Sequence, residues 1–206
     1  MEAPQAMETL TSDAVVAYAR TLVEFVQRAS PLQKNPVMYE PFPSWPKEKG
    51  VWGVTTRPGI NLYDNPQGAE WIDDLGNRGL ALADDPSGRT VINHGDWFPH
   101  NVRLDENLNL KAVFSWDGIN LELETVAVGK ACTLGTYDDA MLFIESYDSA
   151  SNRKFTPDEM RTIAGVATWM RAFLARWSHS QGVKEADSDL QQALRRDGEK
   201  LLSLAS

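Results

Sequence analysis

The stretch His94-Gly95-Asp96-Trp97-Phe98-Pro99-His100-Asn101 sets a carboxylate and a carboxamide five positions apart, in a run punctuated by Gly and Pro. Phosphoryl transfer to a hydroxyl is a chemistry that needs this pair. A carboxylate such as Asp96 can hold the attacking hydroxyl and take its proton, while the amide oxygen of Asn101 can help hold a magnesium ion on the phosphates. His94 is placed to order the loop through hydrogen bonds to backbone. Trp97 borders the place where an acceptor would enter, and His100 is read as a substrate-side residue, because no second histidine stands at ligand spacing from it. An isolated His-Gly-Asp is usually a turn aspartate capping its own loop. Asn101 in register, with a hairpin behind it, favours the catalytic reading here.

The elements that must position this loop lie on either side. Val91-Ile92 is a short strand leading in. Residues 101–104 and 110–114 are alternating or apolar runs around the polar turn Asp105-Glu106-Asn107, the pattern of a small hairpin leading out. That hairpin delivers Ser115-Trp116-Asp117-Gly118 back beside the loop.

His-x-Asp with Asn five positions after the Asp is the arrangement of kinase catalytic loops. The HGD-x4-N form, followed by the hairpin and Trp116, resembles the aminoglycoside phosphotransferase and choline kinase-like superfamily, which has a protein kinase-like fold. The resemblance covers about Trp52 to His179 and extends to Gly68-Ala69-Glu70-Trp71-Ile72-Asp73, Phe143-Ile144-Glu145-Ser146-Tyr147 and Phe155-Thr156-Pro157-Asp158-Glu159. It implies an ATP-dependent phosphotransferase acting on a small hydroxylated acceptor, with Mg2+ and ATP as cofactors. Asp96 would be the catalytic base, Asn101 a metal ligand and Asp117 a second one, with Trp97 and His100 at the acceptor. Aminoglycosides, choline, homoserine-like alcohols and sugars are acceptors across such a superfamily, and nothing in the sequence selects among them.

The chain departs from the family pattern in two ways. Aligned on Trp116, the metal-binding Asp of the family falls on Ser115, a neutral residue that cannot supply the charge holding magnesium against a triphosphate. Asp117 matches a second acidic position. On an extended strand it would share a face with Ser115 at roughly 6–7 Å, which leaves a swap of roles geometrically open. The second departure is the N-terminal β-lobe. The 95 residues before Asp96 show one helical period at 12–30, through Val15, Val16, Ala19, Leu22, Val23 and Val26, with Ser12 or Asp13 as cap. They show no glycine-rich loop, and the first lysine, Lys34, sits in a proline-rich stretch. The expected fold is therefore mainly α with a small β-hairpin, the C-terminal lobe of a protein kinase-like fold spanning 1–206 as one domain. Three functions stay open: a phosphotransferase, a non-catalytic pseudokinase-like binding module, or a split C-lobe needing a separately encoded N-lobe.

Residues 31–66 hold seven of the eleven prolines and read as an ordered but irregular excursion, since Trp45, Trp52 and Tyr63 within it are residues that usually bury. Further helices are expected at 70–83, 123–134, 137–149, from Thr156 to about 178, and at 187–202. Thr156-Pro157-Asp158-Glu159 is a capping box with Pro at the first helical position. Trp97, Trp116, Trp169 and Trp177 are read as core, and Glu122, Glu124, Asp138 and Asp139 as a solvated acidic surface. With 42% hydrophobic and 24% charged residues the composition is that of a globular domain. No apolar run approaches a membrane span, and the N-terminus is not a signal peptide. The single cysteine, Cys132, excludes an internal disulfide and suits a reducing cytoplasm. A net charge of -9 argues against nucleic acid and suits cationic small molecules. A face left bare by a missing lobe would be apolar, which makes a homodimer an expectation.

Overall fold

The computed structural model describes residues 10–34, 50–53, 61–133 and 135–205. Most of the proline-rich excursion, Trp45 included, lies outside the described residues. Helix α1 (Ser12–Ala29) starts where the Thr11 hydroxyl accepts the Ala14 N–H, one residue before the expected cap. Its apolar positions Val15, Ala19, Leu22 and Val26 recur at helical spacing and are all buried. A short 3-10 turn, Ser30–Lys34, follows.

Helix α2 (Glu70–Leu82) precedes strand β1 (Thr90–Asn93), and the hairpin strands β2 (Val102–Leu104) and β3 (Leu110–Val113) come after the Asp96 loop. Strand β4 (Asn120–Leu123) pairs antiparallel with β1, Thr90 opposite Leu123 and Asn93 opposite Asn120. The apolar–polar alternation of 119–123 is a strand signal that the expected helix from 123 obscured. Helices α3 (Glu124–Ala131), α4 (Tyr137–Ser151), α5 (Pro157–Ser180) and α6 (Asp189–Ser203) complete the chain. The capping box at Thr156 and Glu159 forms as read, and Thr136 with Asp139 makes a second one on α4. Among the described residues the two sheets have two strands each, and no five-stranded lobe is present. The fold is mainly α with small antiparallel β elements.

Two apolar clusters hold the helices together. One joins α1 and α4 to the Asp96 loop through Tyr18, Leu22, Trp97, Phe143 and Tyr147. The other packs α2 and α6 on α5 around Ile72, Trp169, Phe173 and Leu194. The α2–α5 crossing is made at Gly79 and Gly165, where a Cβ on Gly79 would stand 2.7 Å from the Gly165 carbonyl oxygen. Backbones that close leave no room for any side chain, so both positions require glycine.

Candidate active site

The Asp96 loop leaves β1 at His94 and enters β2 after Asn101. Gly95 makes the turn possible with φ 84°, a left-handed conformation that costs a glycine nothing. His94 is fully buried, and its Nε2–H donates to the Phe114 carbonyl at 2.7 Å. That bond ties the loop to the end of β3, the backbone-ordering role its position suggested. Its Nδ1 has no hydrogen-bond partner among the described residues, and the ring sits edge-on to Trp97, Trp116 and Phe25.

Asn101 is the hub of the loop. It is 3% exposed, and its Nδ2 donates to the Asp96 carbonyl at 3.0 Å and to Asp96 Oδ2 at 2.7 Å. Its Oδ1 accepts from Ser115 Oγ at 2.8 Å. The structure thus brings Asp96, Asn101 and Ser115 into one hydrogen-bonded chain. Asp96 keeps a partly exposed carboxylate whose Oδ1 makes no hydrogen bond among the described residues, so one oxygen is fixed and the other is open. His100 is exposed beside it, its Nε2 3.6 Å from Asp96 Oδ2 and its ring stacked on Phe98.

Trp97 takes the core side of its reading. It is 3% exposed, lies in the core, and donates its indole N–H to the Tyr18 carbonyl at 3.2 Å. Tyr18 in turn donates to the Val102 carbonyl, so α1 is tied to both ends of the loop. Trp97 thereby anchors the loop to α1. Trp116 departs from its core reading: it is 53% exposed, with its N–H on the Val113 carbonyl at 2.9 Å. Phe114 beside it is also exposed.

Ser115 and Asp117 do not share a strand face. Ser115 is left-handed, at φ 56° and ψ 55°, and Asp117 lies in a 3-10 turn, Trp116–Gly118, exposed and without a hydrogen bond among the described residues. Only an extended chain puts alternate residues on one face. This donor set does not fit magnesium. A hard cation wants several oxygens, including carboxylates. Here the Asn101 amide points its NH2 at Asp96, which turns Oδ1 away from that carboxylate and onto a hydroxyl that donates to it.

The acidic residues beyond the hairpin are not a solvated surface. Glu124 is fully buried and accepts from Arg89 Nε and Nη2 at 2.8 Å each, from the Tyr147 hydroxyl at 2.7 Å and from Arg153. Burial, and the Glu124 carboxylate beside it, push the Tyr147 hydroxyl well above the usual phenol range, so it remains a donor. Glu122 accepts from Lys130 at 2.5 Å and from the Asn93 side chain at 2.7 Å. Asn93 immediately precedes His94, so this second buried network holds the entry to the loop. Asp139 belongs to the capping box of α4, and only Asp138 is an exposed acid of the four. The partners of these glutamates lie up to 35 residues away, and no local sequence signal could have paired them.

The structure resembles that of an aminoglycoside phosphotransferase from Alicyclobacillus acidocaldarius, with a TM-score of 0.56 at 12% identity over 95% of this chain. The two chains share a fold. The chain spans 65% of the length of that relative, in keeping with a C-terminal lobe of the kinase-like architecture. No family model and no curated protein matches the sequence. Among the described residues no helix is long and apolar enough to cross a membrane.

Proposed function

We propose that this protein is a phosphotransferase-fold module that binds a small hydroxylated molecule at Asp96 and does not by itself transfer phosphate from ATP. The observation that carries this reading is the asymmetry of the Asp96 carboxylate. Oδ2 is held by Asn101 at 2.7 Å while Oδ1 is open, which is how a base is set to receive a hydroxyl. The exposed His100 beside Asp96 adds a second polar group for an acceptor. The net charge of -9 suits cationic acceptors such as amino sugars or amino alcohols. ATP and Mg2+ are implied by the resemblance, but among the described residues the donors around Asp96 do not suit a nucleotide-bound magnesium.

A panel of aminoglycosides, sugars and amino alcohols, tested by thermal shift with and without ATP and Mg2+, examines the reading. The expected result is a ligand that raises the melting temperature without nucleotide, loses that effect in Asp96→Ala, and is recovered unphosphorylated. A phosphorylated product from the purified chain, absent with Asp96→Ala, would overturn the non-catalytic half.

A second reading is favoured by one observation, the exposed pair Phe114 and Trp116 beside the site. Exposed aromatics at that position suit a partner surface, and a separately encoded N-lobe that covers them would complete a split enzyme. Co-expression with such a lobe would then confer ATP-dependent transfer on the complex.

A further inference from the structure

We propose that Ser115 makes this a metal-independent site: its hydroxyl takes the position on Asn101 that a divalent cation would need, and this one residue decides whether a cation binds. The inference deepens the reading of the same site, but its test uses no acceptor, so the two can fail separately.

The Asn101 amide is fully engaged. Both Nδ2 protons are used, on the Asp96 carbonyl and on Asp96 Oδ2. This fixes the amide orientation, because a flip would set Oδ1 against two acceptors. Oδ1 must then face Ser115, where the hydroxyl donates at 2.8 Å. The backbone of Asn101 is equally engaged, its N–H on the Phe98 carbonyl and its C=O accepting from the Phe114 N–H, both at 2.8 Å. A buried side chain so fully satisfied gains little from a cation, and a cation there would have to displace the Ser115 hydrogen bond while Asp96 stands on the NH2 side of the amide.

The backbone at Ser115 shows that the arrangement is imposed. Serine in the left-handed region is disfavoured, and such residues persist where their surroundings over-determine them. Three contacts do so here. His94 holds the Phe114 carbonyl, Trp116 bonds back to Val113, and Gly118 packs where a Cβ would stand 2.9 Å from the His94 carbonyl oxygen. Asp and Asn tolerate this conformation better than Ser does. Position 115 can therefore accept a carboxylate or an amide without a backbone change.

In Ser115→Asp a carboxylate faces Asn101 Oδ1, two acceptors with nothing between them. A divalent cation bridging them removes that conflict, so binding and stability become linked. Ser115→Asn sets a neutral side chain in the same backbone. The test is a Mn2+ titration followed by thermal shift and by paramagnetic broadening of the Asn101 side-chain amide signals, which Asn101→Ala assigns. The expected result is no broadening of those signals in the wild-type chain or in Ser115→Asn at about 1 mM Mn2+, the weak end of oxygen-ligand sites. Ser115→Asp is expected to show saturable broadening, a rise in melting temperature with Mn2+, and at least about tenfold tighter binding than wild type. Saturable broadening at Asn101 in the wild-type chain would overturn the proposal, and so would a folded Ser115→Asp indifferent to Mn2+. If Ser115→Asp does not fold, the wild-type titration decides alone.

Discussion

Replacing Glu124 by Gln keeps the shape of the side chain and removes one charge from an enclosed ion cluster. Glu124 has no exposed surface and accepts four hydrogen bonds, two from Arg89 and one each from Tyr147 and Arg153. Breaking a buried pair by neutralising one partner typically costs about 3–5 kcal/mol. Two features place this case at the lower end. The Arg89 side chain is 55% exposed and stays hydrated, and Arg153 retains Glu159. The expected loss is therefore about 3 kcal/mol, a large part of the roughly 5–15 kcal/mol that holds a domain together. For a chain of this size that corresponds to a fall of about 6–12 °C in Tm. Glu124→Ala also strands the buried Tyr147 hydroxyl, adding about 1–3 kcal/mol. Urea unfolding followed by tryptophan fluorescence measures both variants. A loss below about 1 kcal/mol for Glu124→Gln would refute the reasoning, since that is the range of an exposed pair.

Two further predictions follow from packing. Gly79→Ala drives a Cβ onto the backbone of α5, 2.7 Å from the Gly165 carbonyl and 2.9 Å from the Trp169 nitrogen, neither of which can swing aside. A loss of at least about 1–3 kcal/mol in urea unfolding is expected, and a neutral substitution would show that the helices cross less closely than described. The Cys132 thiol is buried, and burial pushes its pKa up to about 12, so it should resist a thiol-reactive dye at pH 8 until denaturant is added. Rapid stoichiometric labelling in native buffer would contradict its placement.

The parts of this fold that the sequence reveals are those whose determinants are local. The helical periods of α1 and α2, the capping box at Thr156 and the hairpin around Asp105 are each written within a few neighbouring residues, and they form as read. The Asp96–Asn101 pairing is likewise local, five positions within one loop. What escapes is what depends on distant partners. Glu122 and Glu124 look like surface charge until Lys130, Arg89 and Arg153 are brought to them. Trp97, read as core, is covered by α1, whereas Trp116, read the same way, is left exposed. The left-handed turn at Ser115, which ends the extended geometry relating it to Asp117, is set by contacts from His94 and Gly118 on neighbouring segments.

The central claim is that the open oxygen of Asp96 receives a ligand hydroxyl. The most direct measurement is a titration of the wild-type chain and Asp96→Asn with the tightest ligand of the panel, without nucleotide or metal, followed by backbone amide shifts in NMR. A hydrogen bond to a charged acceptor is worth about 1.5–3 kcal/mol, so Asp96→Asn should bind about 10- to 150-fold more weakly, with the wild-type shifts centred on residues 95–101. Equal affinity in the two chains, or shifts confined to residues outside the loop, would contradict the account.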